Sequence, residues 1–331
     1  MKALGCASTL DSGDWSCSYL IGDIERRMGH FQNAINIFKS ILDSHPSEVG
    51  VLFSLSQAYL DLGQMESSSG FRLRSEESIA AAIQIALAMI KGSSGFRSVA
   101  WKVITDAAFL LSDSPGFVNE GSVRLLLEDV NNLCLDGCSQ LAGLMNKRNL
   151  HDDMPLSGVA ALEVAIFASA SRLSIGASDQ LSRGSAWYDL GISLYSWTIC
   201  PRHAADALRI QARAIECLAS ALQEDPENEV YLNALGSAQF LLRPIIAQHA
   251  YIKALDINSK RASTWVNLGL LYVHYGDFEL ATKSLHRAQV LDPECTLAWL
   301  GQALTAKANE DNVSARALLE HACSLSATLV S

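Results

Sequence analysis

Residues 262–293 read ASTWVNLGLLYVHYGDFELATKSLHRAQVLDP, and the spacing of their apolar residues decides the fold. Trp265, Leu268, Gly269 and Tyr272 fall on one face of a helix at about 100° per residue. Gly276 can take the left-handed conformation that closes this helix, and Asp277 can cap the next. Ala281, Leu285 and Ala288 carry the second helix's apolar face as far as Pro293, which has no amide hydrogen and stops it. Small Gly269 and Ala281 let the two helices approach closely. The result is a helix–turn–helix unit of about 34 residues.

The unit recurs. Trp299, Ala315, Leu319 and Ala322 stand 34 residues after Trp265, Ala281, Leu285 and Ala288, and Tyr231, Ala247, Tyr251 and Ala254 stand 34 before. In that earlier copy Leu235-Gly236 arrives one residue late, and Leu242-Arg243-Pro244 replaces the Gly-Asp turn. A further copy opens with Trp187, Leu190 and Gly191 and closes with Leu218, Ala221 and Pro226, with about eleven residues inserted around Pro201. Near the N-terminus, Gly22, Gly29, Phe31, Ala34, Phe38 and Pro46 form another, followed by Leu52, Leu55, Tyr59 and Gly63. This pattern resembles the tetratricopeptide repeat. The resemblance implies an all-α solenoid, a right-handed superhelix of antiparallel helix pairs, with one irregular helical insertion.

On this basis residues 15–110 and 184–329 are repeat units, residues 111–183 are the insertion, and all belong to one continuous solenoid. A polar insert is expected from Gln64 to Arg74. Helices are expected around Val123–Met145 and Leu156–Ser174, between loops at Ser112–Gly121 and Asn149–Pro155. Trp101 and Phe109 start a repeat whose second helix is displaced by the insertion. The pentapeptide Ser-Ser-Gly-Phe-Arg, ending at Arg72 and again at Arg97, reads as two similar loops leading into helices.

Composition agrees with packed helices. Of 331 residues, 49% are apolar and 18% charged, which excludes intrinsic disorder. The runs Ile79–Ile90 and Val159–Ala170 are interrupted by Gln84 and Glu163 and fall short of the roughly 18 residues a bilayer-spanning helix needs. A net charge of −10 disfavours tight, direct nucleic-acid binding. The eight cysteines are scattered among Leu and Ala, as free thiols are in a reducing compartment. Met1–Cys6 has too short an apolar stretch for a signal peptide or a lipoprotein site. The expected location is cytoplasmic or nuclear, with no membrane association. Val313–Leu329 ends apolar, so its outer face is expected to meet further repeats or partner subunits.

Chemistry finds little to rest on. There is no phosphate-binding Gly-rich loop, no Gly-x-Ser-x-Gly and no His-Glu-x-x-His. Cys134 and Cys138 lie four apart with His151 nearby in sequence, but no second Cys/His pair completes a zinc site. No metal, cofactor or catalytic set is assigned, and the chain is read as a non-enzyme. His286 and His321 are placed toward the ends of second helices, where a ring can meet the helix dipole.

The repeat does offer a binding face. Asn267, Leu270 and His274 lie roughly opposite the Trp265 face, and Asn233 precedes Asn267 by 34 residues. First helices of such solenoids line a concave groove. Asn233, Asn267, Leu270 and His274 are therefore the candidate partner-binding residues, the two amides facing a bound peptide backbone. Family members that clamp a C-terminal carboxylate use Lys, Asn and Arg where this chain has Val266, Leu270, Leu297, Gly301, Leu232 and Gly236. That argues against a chaperone-tail receptor.

The words Trp187-Tyr-Asp-Leu-Gly-Ile, Tyr231-Leu-Asn-Ala-Leu-Gly, Trp265-Val-Asn-Leu-Gly and Trp299-Leu-Gly-Gln-Ala-Leu follow in that order behind an enlarged first unit. They resemble the large tetratricopeptide subunits of Ski (superkiller) complexes over residues 184–325, and more loosely over 15–110. The resemblance implies a non-catalytic scaffold joining a DExH-type RNA helicase and a WD-repeat subunit to the cytoplasmic exosome for 3′-to-5′ mRNA decay. Members of that group are far longer than this chain. A generic adaptor for cargo, cell-cycle or chaperone-related assemblies would use the same groove. A repeat-bearing glycosyltransferase would need a catalytic domain that these residues do not contain.

Overall fold

The computed structural model describes residues 15–92, 96–135, 138–147, 150, 155–176, 180–200 and 206–328. Met1–Cys6, His151, Arg148 and the insertion around Pro201 lie outside the described residues, as does the start of the second Ser-Ser-Gly-Phe-Arg copy. Among the described residues fifteen α-helices and no strand are found, in two compact units. The first comprises residues 1–178 with 199–206, the second residues 179–198 with 207–331.

The first unit runs α1 (Ser16–Arg27), α2 (Phe31–Ser44), α3 (Val49–Ser68), α4 (Arg72–Gly92), α5 (Arg97–Ser112), α6 (Glu120–Leu133) and α7 (Gly158–Ile175). The second runs α8 (Gln180–Ile199), α9 (Ala207–Glu224), α10 (Glu229–Gln239), α11 (Pro244–Ile257), α12 (Ala262–Tyr275), α13 (Phe278–Leu291), α14 (Thr296–Ala308) and α15 (Asn312–Thr328). Each unit is a stack of antiparallel helix pairs, the tetratricopeptide-type architecture.

One close approach recurs in pair after pair. A Cβ on Gly269 would sit 2.6 Å from Leu285 Cγ, and one on Gly22 or Gly63 would meet Phe38 or Ile79 at 2.7 or 2.8 Å. In all three the glycine on the first helix faces the residue sixteen positions later on the second. Gly236 faces Tyr251, fifteen later, because its own arrival is one residue late. Gly191 faces Leu218, 27 later, which is the same interval lengthened by the inserted segment. The glycine is what lets a large side chain lie flat against the first helix's backbone. Phe38, Leu218, Tyr251 and Leu285 are accordingly 0–1% exposed.

The turn chemistry matches the sequence signals. Gly276 closes α12 at φ +82°, and the Asp277 carboxylate accepts from Leu280 N at 3.2 Å to cap α13. Asn228 caps α10 by accepting from Val230 N and Tyr231 N. Trp265 and Trp299 each donate their indole N–H to the carbonyl six residues back, on Ser259 and Pro293, at 2.9 and 2.8 Å. The first helices α3 and α5 pack on one another, as do α12 and α14, whereas no two second helices make comparable contact.

The insertion differs in detail from expectation. No polar insert separates α3 from α4. The helix continues to Ser68, Ser68 and Ser69 bond back to the Met65 carbonyl, and α4 starts at Arg72. The stretch after Gly63 is thus about one and a half extra helical turns and a tight corner. The helix expected to reach Met145 ends at Leu133, where Cys134 turns extended and Leu135 N donates to Ser171 Oγ on α7. The second helix paired with Trp101's is α7, packed on α5 as closely as α4 is on α3. Gly158 makes this possible, since a Cβ there would collide with the Ser112 carbonyl at the end of α5.

Among the described residues α7 alone is long and apolar enough to cross a membrane by length and composition, and 78% of that stretch is buried inside the protein. Its apolar surface is taken up by packing. Phe71 and Phe96, from the two pentapeptide copies, both precede helix starts and are both exposed. His286 is exposed mid-helix, and the His321 ring stands edge-on to Trp299 at 4.3 Å. Neither histidine occupies the helix-terminal position expected of it.

Candidate functional site

The candidate face is built from first helices α10, α12 and α14 of the second unit. Three inter-pair ties hold α10 and α12 against their neighbours. Arg261 Nη2 and Asn258 Nδ2 both donate to Glu229 Oε1, at 2.9 and 3.3 Å. The Arg261 hydrogen bond, above all, holds the Glu229 carboxyl below its ordinary range. Gln248 Nε2 donates to the Tyr272 hydroxyl at 3.0 Å, and Tyr188 stacks on Tyr231 at 4.9 Å between ring centroids.

With the helices so held, Asn267 Nδ2 donates to Asn233 Oδ1 at 3.0 Å, both side chains half-buried. The two predicted amides form one ladder across neighbouring repeats. The bond uses one donor of Asn267 and the oxygen of Asn233. A donor on Asn233 and an acceptor on Asn267 remain, the complement of one peptide unit.

Leu270 goes elsewhere. It packs with Val266, Ala288 and Ala298 at the seam to the next pair, and a Cβ on Gly301 would lie 3.4 Å from its Cδ2. Leu270 thus joins two repeats. His274 is exposed, with its ring 5.6 Å from Phe240 and 4.9 Å from Tyr275. Of the four candidates, the asparagines meet directly, Leu270 is drawn into packing, and His274 stands exposed beside Phe240 and Tyr275.

Sequence counting missed one member of this column. Asp189 stands two residues after Trp187, as Asn233 and Asn267 stand two after Tyr231 and Trp265, and it is buried. The same count lands on buried Gly301 in the last pair, so the polar column ends there. Of the positions a carboxylate clamp would use, Val266 and Leu232 are interior and Gly236 and Gly301 abut Tyr251 and Leu285, while Leu270 is half-buried and Leu297 is exposed. Cys134 and Cys138 are both buried. Among the described residues no group of three or more His, Cys, Asp or Glu is placed to hold a metal ion.

A tetratricopeptide repeat family model matches residues 19–68. Tetratricopeptide repeat protein 37 of Xenopus laevis is 26% identical over 317 residues, covering 93% of this chain and 18% of that protein. Superkiller protein 3 of Schizosaccharomyces pombe is 27% identical over 241 residues, covering 71% of this chain and 17% of that one. The chain spans less than a fifth of the length of these curated relatives. Among solved structures, yeast Tom70 aligns with a TM-score of 0.40 at 15% identity, over 97% of this chain and 64% of that chain.

Proposed function

We propose that this tetratricopeptide-repeat chain, similar to Superkiller 3 proteins, is a non-catalytic scaffold segment of a Ski-type assembly. In that role it joins a DExH-type RNA helicase and a WD-repeat subunit to the cytoplasmic exosome for 3′-to-5′ mRNA decay. The observation that carries the reading is the alignment with Superkiller protein 3 of Schizosaccharomyces pombe over 71% of the chain. It is supported by the Asn233–Asn267 pair, whose amides are suited to a polypeptide backbone. The acidic balance is consistent with contacts made to proteins rather than to RNA.

Affinity purification of the tagged chain from cytosol at gentle salt, followed by mass spectrometry, tests it. The expected eluate contains a helicase and a WD-repeat protein. Their absence defeats the Ski reading, and ATPase or nuclease activity of the isolated chain defeats the non-enzyme reading.

The groove makes a finer prediction. Asn267→Ala should lose at least tenfold in affinity for whichever partner uses this face, because a bound peptide unit would leave one hydrogen bond unmade. Its stability cost should stay near 1 kcal/mol, the net worth of a partly solvated amide pair. Partner retention measured beside a urea titration separates the two effects. Equal retention by the variant would remove the ladder from the binding face.

A further inference from the structure

The loop joining α5 to α6 carries Ser114-Pro115, and among the seven prolines of the chain Pro115 alone follows a serine or threonine. Residues 113–119 form no helix, in keeping with the way proline drives the residue before it out of the helical conformation. Asp113 and Pro115 are exposed on either side of a half-buried Ser114. The Ser114 hydroxyl makes no hydrogen bond to any described residue, whereas that of Ser112 turns back onto the Phe109 carbonyl at 2.6 Å. The chain also has a serine behind two cations, in Arg72-Leu-Arg-Ser75. Ser75, however, is 5% exposed and donates its hydroxyl to the Gly63 carbonyl at 2.7 Å. Of the two, the fold leaves only Ser114 free to react. Its loop is tied to three helices. Arg72, in the first turn of α4, donates from Nη2 to the Gly116 carbonyl at 2.5 Å. The Glu76 carboxylate, one turn on, accepts from Val118 N and Asn119 N at 2.8 and 3.0 Å. The Ser114 carbonyl lies against the start of α7, 2.5 Å from where a Cβ on Gly158 would stand.

We propose that Ser114 is the acceptor for a proline-directed protein kinase, and that Arg72 captures the phosphate and pins the loop to α4. In the transfer the Ser114 hydroxyl oxygen attacks the γ-phosphorus of ATP. A new O–P bond forms, the β–γ anhydride bond breaks, ADP leaves, and the hydroxyl proton passes to the kinase's catalytic carboxylate. The product carries a charge of about −1.5 to −2 at pH 7 and three strong acceptor oxygens. Arg72 is exposed and holds Gly116 through one of its five guanidinium N–H groups, so donors remain for an anion two residues from that carbonyl. A charge-assisted bond from guanidinium to phosphate is stronger than one to a neutral carbonyl, so Arg72 favours the new acceptor. Glu76, on the same helix, carries a like charge and is already occupied by the loop's two amides, which leaves the phosphate to the Arg72 side.

Incubating the purified full chain with a cyclin-dependent kinase, Mg²⁺ and ATP tests the site, with intact mass and fragment spectra as readouts. The expected product carries one phosphate, on Ser114. Ser114→Ala should take none, Ser114→Thr should take one, and Pro115→Ala should react at least tenfold more slowly, with circular-dichroism melts verifying that each variant folds. Arg72→Ala should accept the phosphate but lose it to a broad-specificity phosphatase faster than the parent does. An unmodified parent, a phosphate on another residue instead, or an undiminished rate in Pro115→Ala overturns the site. Equal phosphatase rates in Arg72→Ala and the parent overturn the capture. Loss of helicase and WD-repeat partners in the cytosolic purification would not alter either result, since both are read on purified chain alone.

Discussion

Replacing Leu285 by Ala should cost the second unit about 3–4 kcal/mol, the range for deleting a fully buried leucine that its surroundings cannot refill. Leu285 is 0% exposed and lies against two glycines at once, Gly269 of its own pair and Gly301 of the next. Its loss opens a cavity at the junction of two repeats, so the damage should spread to both. Gly269→Ala should also destabilise. The new methyl would meet Leu285 Cγ at 2.6 Å, and overpacking of roughly 1–3 kcal/mol outweighs the ~1 kcal/mol gain in helix propensity. The double variant should fall short of the sum by more than about 0.5 kcal/mol, since the added methyl enters the space the leucine vacates. Gly50→Ala, with nothing within 4 Å of its Cβ, serves as control and should be neutral or slightly stabilising. Urea titrations followed by tryptophan fluorescence give all four values. Simple additivity would show that the glycine and leucine do not touch.

That glycine–leucine contact also explains how much was legible beforehand. Gly269, Leu285 and Gly276 announce the repeat because each sits where only a narrow choice of side chain fits, and their spacing is counted directly along the chain. The copy that opens with Gly191 and closes with Leu218 was legible for the same reason, despite the intervening segment. The corner after Ser68 was not. Serines read as a loop, yet their hydroxyls can turn back onto the preceding helical turn, and here they do. The end of α6 at Leu133 was equally hidden, because Ser171, 36 residues ahead of Leu135, supplies the bond that stops it. Asn233 and Asn267 were found by counting, but their mutual bond depends on the Arg261–Glu229 tie that sets the spacing of α10 and α12. Leu270 looked exposed on a single helix and is covered only once Ala298 of the next pair arrives.

Alkali should weaken the second unit steeply, and two buried acids set the window. Burial pushes the Cys217 thiol up to about 11, with Arg213 opposing and Glu216 adding to the rise. Burial pushes the Tyr251 phenol up to about 12, against the hydrogen bond from Ser237 and with a smaller contribution from Tyr195. In the unfolded chain these groups release protons near ~8.5 and ~10. Between the unfolded and folded values the native state holds a proton that the unfolded state has lost. Their contribution to stability is therefore complete below about pH 8.5 and falls as pH rises, through about 11 for the thiol and about 12 for the phenol. At 1.36 kcal/mol per unit, each group removes about 3 kcal/mol once its window is crossed. Urea midpoints measured at pH 8 and pH 11 should differ sharply in the parent and much less in Cys217→Ala/Tyr251→Phe. That variant keeps the ring on Gly236 and deletes only the titrating atoms, so lysines and surface tyrosines contribute equally to both proteins and cancel in the comparison. An identical fall in the two would mean that neither group stays protonated in the native state, and that water reaches both the Cys217 thiol and the Tyr251 phenol.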